Sequence, residues 1–312
     1  MRNSLKKLKK IIIRVFSAIL ILLVVIVGSV ILAINIGEDV PEVSSYEIDI
    51  ELVRELAQSS MDSLPERINN ILIAQADFMY GQVIVGGGFE TYVFDFSTFQ
   101  LVYGDSSTVI IDAVHDSDVH EFAFPGAPFY QDKFDEMQTA LTAADLIVST
   151  HEHFDHVGGV LAAAVDPSLK SKLRLTREQR DGLLAEDLVA TDDLTNIEIL
   201  EYETYLRVAP GVVLIKSPGH TPGSQMVFVA LEDGSEYMFA GDVVWSAENI
   251  KTLKSRSFFS TFFGNEDAEQ VSHQIRTISD IMTSEGVHII VAHDGVQRQQ
   301  DISEGRYYQG LQ

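Results

Sequence analysis

Four side chains able to bind a metal ion fall within six positions of this sequence: His151, His153, Asp155 and His156, in the run His-Glu-His-Phe-Asp-His. The run follows Leu146 to Thr150 (LIVST), a short apolar segment with the character of a buried strand. The chain has no cysteine, so any metal must be held by imidazole and carboxylate, ligands that Zn2+ accepts. In extended or tightly looped backbone alternate side chains point the same way, so His151 and His153 can reach one cation. Asp155 and His156 fall where the chain turns and can face a second. Gly158 and Gly159 let the backbone pass close to the site as a helix begins. Glu152 and Phe154 alternate away from the metal side and read as loop-packing residues.

Three later segments each deliver one more ligand just past a strand. His220 stands in a tight Ser-Pro-Gly-His-Thr-Pro-Gly-Ser loop after VVLIKS, Asp242 in Ala-Gly-Asp after EYMF, and His293 in Ala-His-Asp after HIIV. Singly, each is as readily structural. Together with the first run they form an ordered set of seven.

This series, His-x-His-x-Asp-His, Gly-His-Thr, Gly-Asp and a late His, resembles the metallo-β-lactamase fold superfamily over roughly Tyr80 to Val296. The resemblance implies an α/β fold: a four-layer αββα sandwich of two mixed sheets flanked by helices. It implies a first metal on His151, His153 and His220, a second on Asp155, His156 and His293, and Asp242 bridging them. The two divalent ions would be Zn2+, with Fe or Mn as alternatives. An all-His/Asp set is similar to the glyoxalase II and lactonase branches, whereas true β-lactamases often place a cysteine near the second metal. Asp112, in Val-Ile-Ile-Asp, matches a family aspartate expected to orient a ligand or the loop backbone by hydrogen bonds. In lactonase-like relatives a tyrosine follows the bridging aspartate by three residues; here Trp245 stands there, able to stack or donate one N–H but not to act as a phenol.

The expected chemistry is a dinuclear zinc-dependent hydrolase: a metal-bridging hydroxide attacks a carbonyl ester, lactone or thioester, and Asp155 accepts a proton or orients the hydroxide. The alternatives are a phosphodiesterase and a mononuclear iron oxygenase of the persulfide dioxygenase type. Two aromatic loops, Phe122 to Tyr130 and Phe258 to Phe263, either wall the substrate site or pack on the core or the bilayer. Trp245 and His120, with His115 beside it, are candidate substrate contacts; His273 and His288 read as structural.

The elements that must position these residues follow from periodicity. Ile48, Leu52 and Leu56 recur at helical spacing, and Ser63-Leu64-Pro65-Glu66 offers a capping box that predicts a second helix. From Tyr80 the pattern turns to strands: GQVIV, TYVFDFSTFQLVY and TVIIDAV. Helices are predicted around Lys133 to Ala144, after Gly158, after Thr176 with its Thr-x-x-Gln cap, and from about Asp267 to Ser284. Strands QMVFVAL and VHIIVAH complete an alternation that predicts sheets covered by helices.

Ahead of all this, Val15 to Ile34 carries no charge and no proline, and about 20 such residues span a roughly 30 Å hydrocarbon core. Six bases precede it and acids follow, so the positive-inside rule places residues 1–14 in the cytoplasm as a basic tail and the remainder outside. A cleaved signal peptide is the alternative, with only a weak small-residue site near Ala33. The expected organisation is therefore 1–14 cytoplasmic tail, 15–34 single-pass transmembrane helix, 35–79 linker and helical extension, and 80–312 hydrolase domain. The 312-residue chain has a net charge of −24; without the six leading bases, 16 basic residues face 46 acidic ones, a net of −30. Such a surface repels phosphate backbones, so no nucleic-acid partner is expected, and the expected partners are a small-molecule substrate and the lipid bilayer.

Overall fold

The structure, a computed structural model, describes residues 2–59, 62–162, 169, 171–185, 194 and 197–312. Its described helices are α1 (Arg2–Asn35), α2 (Ile50–Ala57), α3 (Tyr80–Val83), α4 (Ser117–Ala123), α5 (Gln131–Ala143), α6 (Phe154–Ala162), α7 (Arg177–Ala185), α8 (Ala247–Thr252), α9 (Phe258–Phe263), α10 (Ala268–Ser284) and α11 (Gly295–Ser303). The strands are β1 (Gly37–Asp39), β2 (Pro65–Met79), β3 (Thr91–Tyr103), β4 (Thr108–Ile111), β5 (Leu146–Val148), β6 (Leu173–Thr176), β7 (Glu198–Leu200), β8 (Tyr205–Ala209), β9 (Val212–Lys216), β10 (Gln225–Ala230), β11 (Glu236–Phe239), β12 (Lys254–Ser257), β13 (His288–Ile290) and β14 (Tyr308–Gln309).

Side-chain alternation builds the layers. Val212 and Leu214 of β9 and Val227 and Val229 of β10 turn inward, meeting Leu101, Val109 and Ile111 from the other sheet. Their neighbours Val213, Ile215, Met226 and Phe228 turn outward beneath Ile275, Ile278 and Ile281 of α10 and Val53 of α2. Ile110 and Ile147 face the opposite way, under Phe134, Met137 and Leu141 of α5. Period-2 strands buried on both faces thus give three apolar layers between four structural ones. The mixed sheets run β14-β2-β3-β4-β5-β6-β7 and β13-β11-β10-β9-β8, with β1 paired to β12 beside them. This is the αββα sandwich.

Two expectations are corrected here. The helix predicted from Ser63 is strand β2, antiparallel to β3 from Pro65–Tyr103 to Met79–Thr91. Long-range pairing overrides the local cap signal, and Pro65 stands first in the strand, where a missing N–H is tolerated. The sandwich therefore begins at Pro65 and not Tyr80, and α2 packs on its second sheet, so residues 35–79 are not a separate helical extension. GQVIV, read as a strand, mostly forms α3, because the chain must reverse between β2 and β3; Met79 donates its N–H to Gln82 Oε1 at 2.9 Å as the turn begins.

Helix α1 is long and apolar enough, by length and composition, to cross a membrane: Lys6–Asn35 reaches a mean hydropathy of 3.2 and is unburied in its most apolar window.

A candidate metal centre at the strand ends

Parallel neighbours β4 and β5 end at Asp112 and at the His151 run, and parallel neighbours β11 and β13 end at Asp242 and His293. The loop after β9 carries His220 to the same edge. Strand C-termini that converge on one crevice are where open α/β sheets place their sites.

The seven candidate ligands come together in two groups. In the first, His153 Nδ1 lies 3.0 Å from His151 Nε2 and 3.1 Å from His220 Nε2, with Asp242 Oδ2 3.4 Å from His220 Nε2. In the second, Asp155 Oδ2 is 3.5 Å from both His156 Nε2 and His293 Nε2. Asp242 faces both groups: its Oδ1 is 3.2 Å from His156 Nε2 and 3.1 Å from His293 Nε2.

These donors fit cations. The edge of a tetrahedron with metal–nitrogen bonds of about 2.0–2.1 Å is about 3.3 Å, close to the spacing of the three imidazole nitrogens. His156 Nε2 and Asp242 Oδ1 are buried without a hydrogen-bond partner, which is costly for polar atoms unless another ligand satisfies them.

The outer nitrogens are held. His220 Nδ1 meets Glu266 Oε2 at 2.9 Å, and His156 Nδ1 meets Asp112 Oδ2 at 2.8 Å. His293 Nδ1 donates to the Asp95 carbonyl at 3.1 Å. Asp112 also accepts from Thr150, at 2.6 Å from the N–H and 3.0 Å from the hydroxyl, so one carboxylate holds both the loop and a histidine. It does so from a left-handed backbone (φ 60°). Glycine is required where this loop folds back: a Cβ on Gly159 would stand 2.5 Å from the Val114 carbonyl.

Electrostatics separate the groups. Burial pushes the His151 and His153 pKa values below the usual imidazole range. Burial acts in the same direction on His156 and His293, but the carboxylates of Asp155 and Asp242, joined by Asp112 at His156, outweigh it and raise both. Burial opposes ionisation of Asp155 and Asp242, yet the histidines around them hold both well below the usual carboxylate range.

Trp245 donates Nε1–H to Asp242 Oδ2 at 2.7 Å, and the Arg256 guanidinium lies 4.5 Å over its ring. Its one donor is therefore taken up by Asp242, not offered to a substrate. His120 is corrected too: it is buried 2.9 Å from His115 and ringed by Phe96, Phe124 and Phe129, away from solvent. His273 and His288 hold structure, through Ser45 N–H and Asp301 respectively.

Two supporting residues, Arg256 and Glu266, carried no sequence signal. Arg256, buried in β12, pairs with Glu266 and donates to the Asp242 carbonyl at 2.6 Å. Glu152, read from the sequence as loop-packing, ties two ligand loops together, accepting from the Thr221 hydroxyl at 2.8 Å and the Gly223 N–H at 3.2 Å. The Thr176–Gln179 cap, by contrast, was legible and forms reciprocally, at 2.9 and 3.2 Å. A cavity of about 910 Å³ lies at the opposite ends of β4 and β5, between Tyr103, Asp145, Arg174 and Arg207.

Comparison with known proteins points to the same fold. N-acyl homoserine lactonases from Bacillus sp and Bacillus cereus are 26% identical over 148 residues and 27% over 149, in each case 47% of this chain and 55% of the relative. The chain thus spans about half the length of the curated relatives it matches. Among solved structures, a quorum-quenching N-acyl homoserine lactone lactonase superposes with a TM-score of 0.62 at 18% identity, covering 77% of this chain and 97% of that one. An N-acyl homoserine lactone hydrolase with N-hexanoyl-L-homoserine at its catalytic metal centre gives 0.61 at 18%, covering 76% and 96%. The family model of the metallo-beta-lactamase superfamily matches residues 94–278, more than half the chain. This chain belongs to the metallo-β-lactamase superfamily.

Proposed function

We propose that the chain is a dinuclear metal-dependent hydrolase of an acyl substrate: a carbonyl ester, lactone or thioester. The observation that carries this reading is Asp242, whose two carboxylate oxygens face separate groups of ligands. His151, His153 and His220 would hold one cation, Asp155, His156 and His293 the other, with Asp242 shared. Two divalent cations there, Zn2+ by donor chemistry, would supply Lewis acidity towards an acyl oxygen and lower the pKa of a shared water towards neutrality.

The chain's own residues do the rest. Asp155, kept ionised by His156 and His293, has a carboxylate oxygen to accept a hydrogen bond and orient the attacking nucleophile. Asp112 and Glu266 fix the tautomers of His156 and His220, leaving each Nε2 lone pair directed inward. Trp245 fixes the orientation of Asp242. Because that indole N–H is engaged, the acyl oxygen gets no side-chain donor from this position. The likeness to N-acyl homoserine lactonases supports a lactone as the first substrate to try. Residues 15–34 would anchor the domain to a membrane in a single pass, with residues 1–14 cytoplasmic and the catalytic domain outside.

The test is turnover of an N-acyl homoserine lactone, an aryl ester and a thioester by the full chain and by His153→Ala. Hydrolysis of at least one, lost in the variant, is expected. Unchanged turnover in His153→Ala overturns the assignment of the site, and oxygen uptake on a persulfide overturns the reaction class.

A further inference from the structure

Helix α9 is amphipathic the wrong way round for a surface in water. Its polar residues face the protein: Thr261 is buried, and the Ser260 hydroxyl donates to the Gln82 carbonyl at 2.7 Å. Its aromatic residues face out, with Phe258, Phe262 and Phe263 exposed at 46, 64 and 73%. Phe89, on the loop between α3 and β3, adds a fourth exposed ring at 60%.

The same elements grip the end of α1. Phe258 N–H donates to the Ile36 carbonyl at 2.7 Å, and Gly86 N–H donates to the Ile34 carbonyl at 3.0 Å. Ile34 itself is fully buried. β1, two residues beyond α1, pairs directly with β12. No flexible spacer separates the apolar helix from the sandwich, and the exposed apolar surface of α1 runs on through Ile36 to α9.

We propose that α9 and Phe89 form a bilayer-docking collar around the point where α1 enters the domain, with the rings set into the headgroup–acyl boundary. The occupant follows from continuity: whatever medium covers the exposed apolar side chains of α1 also covers these rings. Aromatic side chains favour that boundary, and docked elements there lie about 5–10 Å deep. This inference rests on reading α1 as a membrane span. Its consequence is positional. Arg256 precedes Phe258 by two residues and Glu266 follows Phe263 by three, so both supports of the metal centre lie within roughly 7–11 Å of the collar by chain reach. The centre would then stand beside the headgroups, where amphiphilic acyl compounds concentrate.

The absence of cysteine makes the test direct, since each introduced cysteine takes one nitroxide label. Full-length Phe262→Cys, Phe263→Cys, Leu23→Cys (within α1) and Asp233→Cys (on the exposed β10–β11 turn) are labelled and reconstituted in phosphatidylcholine–phosphatidylglycerol vesicles. Collision with oxygen and with a water-soluble nickel chelate is then measured. The collar predicts that the labels at 262 and 263 follow Leu23, oxygen-accessible and nickel-protected at a depth of about 5–10 Å, while that at 233 is nickel-accessible. Nickel access at 262 and 263 with Leu23 still in lipid overturns the collar and leaves the anchor standing. Protection of 262 and 263 from both reagents means that protein covers them, such as a second copy, and also overturns it. Nickel access at Leu23 overturns the anchor, and the collar with it.

Discussion

The two halves of the metal centre solve one problem with different chemistry. His151, His153 and His220 bring three imidazoles and a shared carboxylate, and burial presses the first two towards the neutral form. Asp155, His156 and His293 bring a carboxylate of their own, with Asp112 behind, and negative charge raises the pKa of both histidines. The supports differ in the same sense. Glu266, behind His220, is neutralised by the buried Arg256, whereas Asp112 meets the loop hydroxyls and backbone. On the proposed reading one half would hold a cation chiefly by histidine nitrogens, the other with a carboxylate of its own. Asp242 is what they have in common.

Removing the shared group therefore has the largest expected effect. Asp242→Ala takes a ligand from each half and should lower kcat/KM by roughly 10³-fold, the scale of losing a key charge-stabilising group. An equal loss of metal from both halves, seen by metal analysis, checks it. A variant that still binds two ions would break the claim that Asp242 is shared.

The supports should separate the halves. Asp112→Asn should weaken metal affinity by about 100-fold, chiefly in the second half, because His156 loses its carboxylate. Glu266→Gln should weaken the first half alone, nearer about tenfold, since glutamine keeps an acceptor for His220. It should also lower Tm, because Arg256 is left buried without its counter-charge. Competition with a chromophoric chelator distinguishes the two; identical two-step curves for both variants would show that the halves are not independently supported.

The smallest effect concerns His115, a buried imidazole for which burial outweighs the opposing pull of the Asp155 carboxylate. Burial pushes the His115 pKa down to about 4, from 6.5 for a free ring. The folded state prefers the neutral form, so this contribution is complete above pH 6.5 and declines as pH falls towards 4. The part lost between pH 7.0 and 5.5 should be about 1 kcal/mol. Denaturant unfolding at pH 7.0 and 5.5 measures it, and His115→Phe should flatten that part of the pH dependence.

What the sequence revealed follows from how local each signal is. The ligand set was legible because each member sits next to a strand whose apolar run marks its own end: LIVST before His151, HIIV before His293. β3 was legible to the residue, since TYVFDFSTFQLVY is rich in β-branched and aromatic side chains. β2 was not, because the Ser-Leu-Pro-Glu cap signal is local while the pairing that decides the strand sets Pro65 against Tyr103, 38 residues away in β3. Arg256 and Glu266 were invisible for the same reason. Their partners, the Asp242 carbonyl and His220, are 14 and 46 positions distant, and a lone Arg in Lys-Ser-Arg-Ser has no pattern to announce it. Trp245 was found by position, but only the fold could show that its N–H turns to Asp242.

The central claim, two unlike halves joined by one aspartate, is tested most directly by counting metal in the purified full-length protein alongside its Asp112→Asn variant at a free-metal concentration just sufficient to fill the parent. The account predicts two divalent equivalents per chain in the parent and one in the variant, with acyl hydrolysis following the second equivalent. A single iron per chain that supports oxygen uptake, or full hydrolysis with no more than one metal bound, would contradict it.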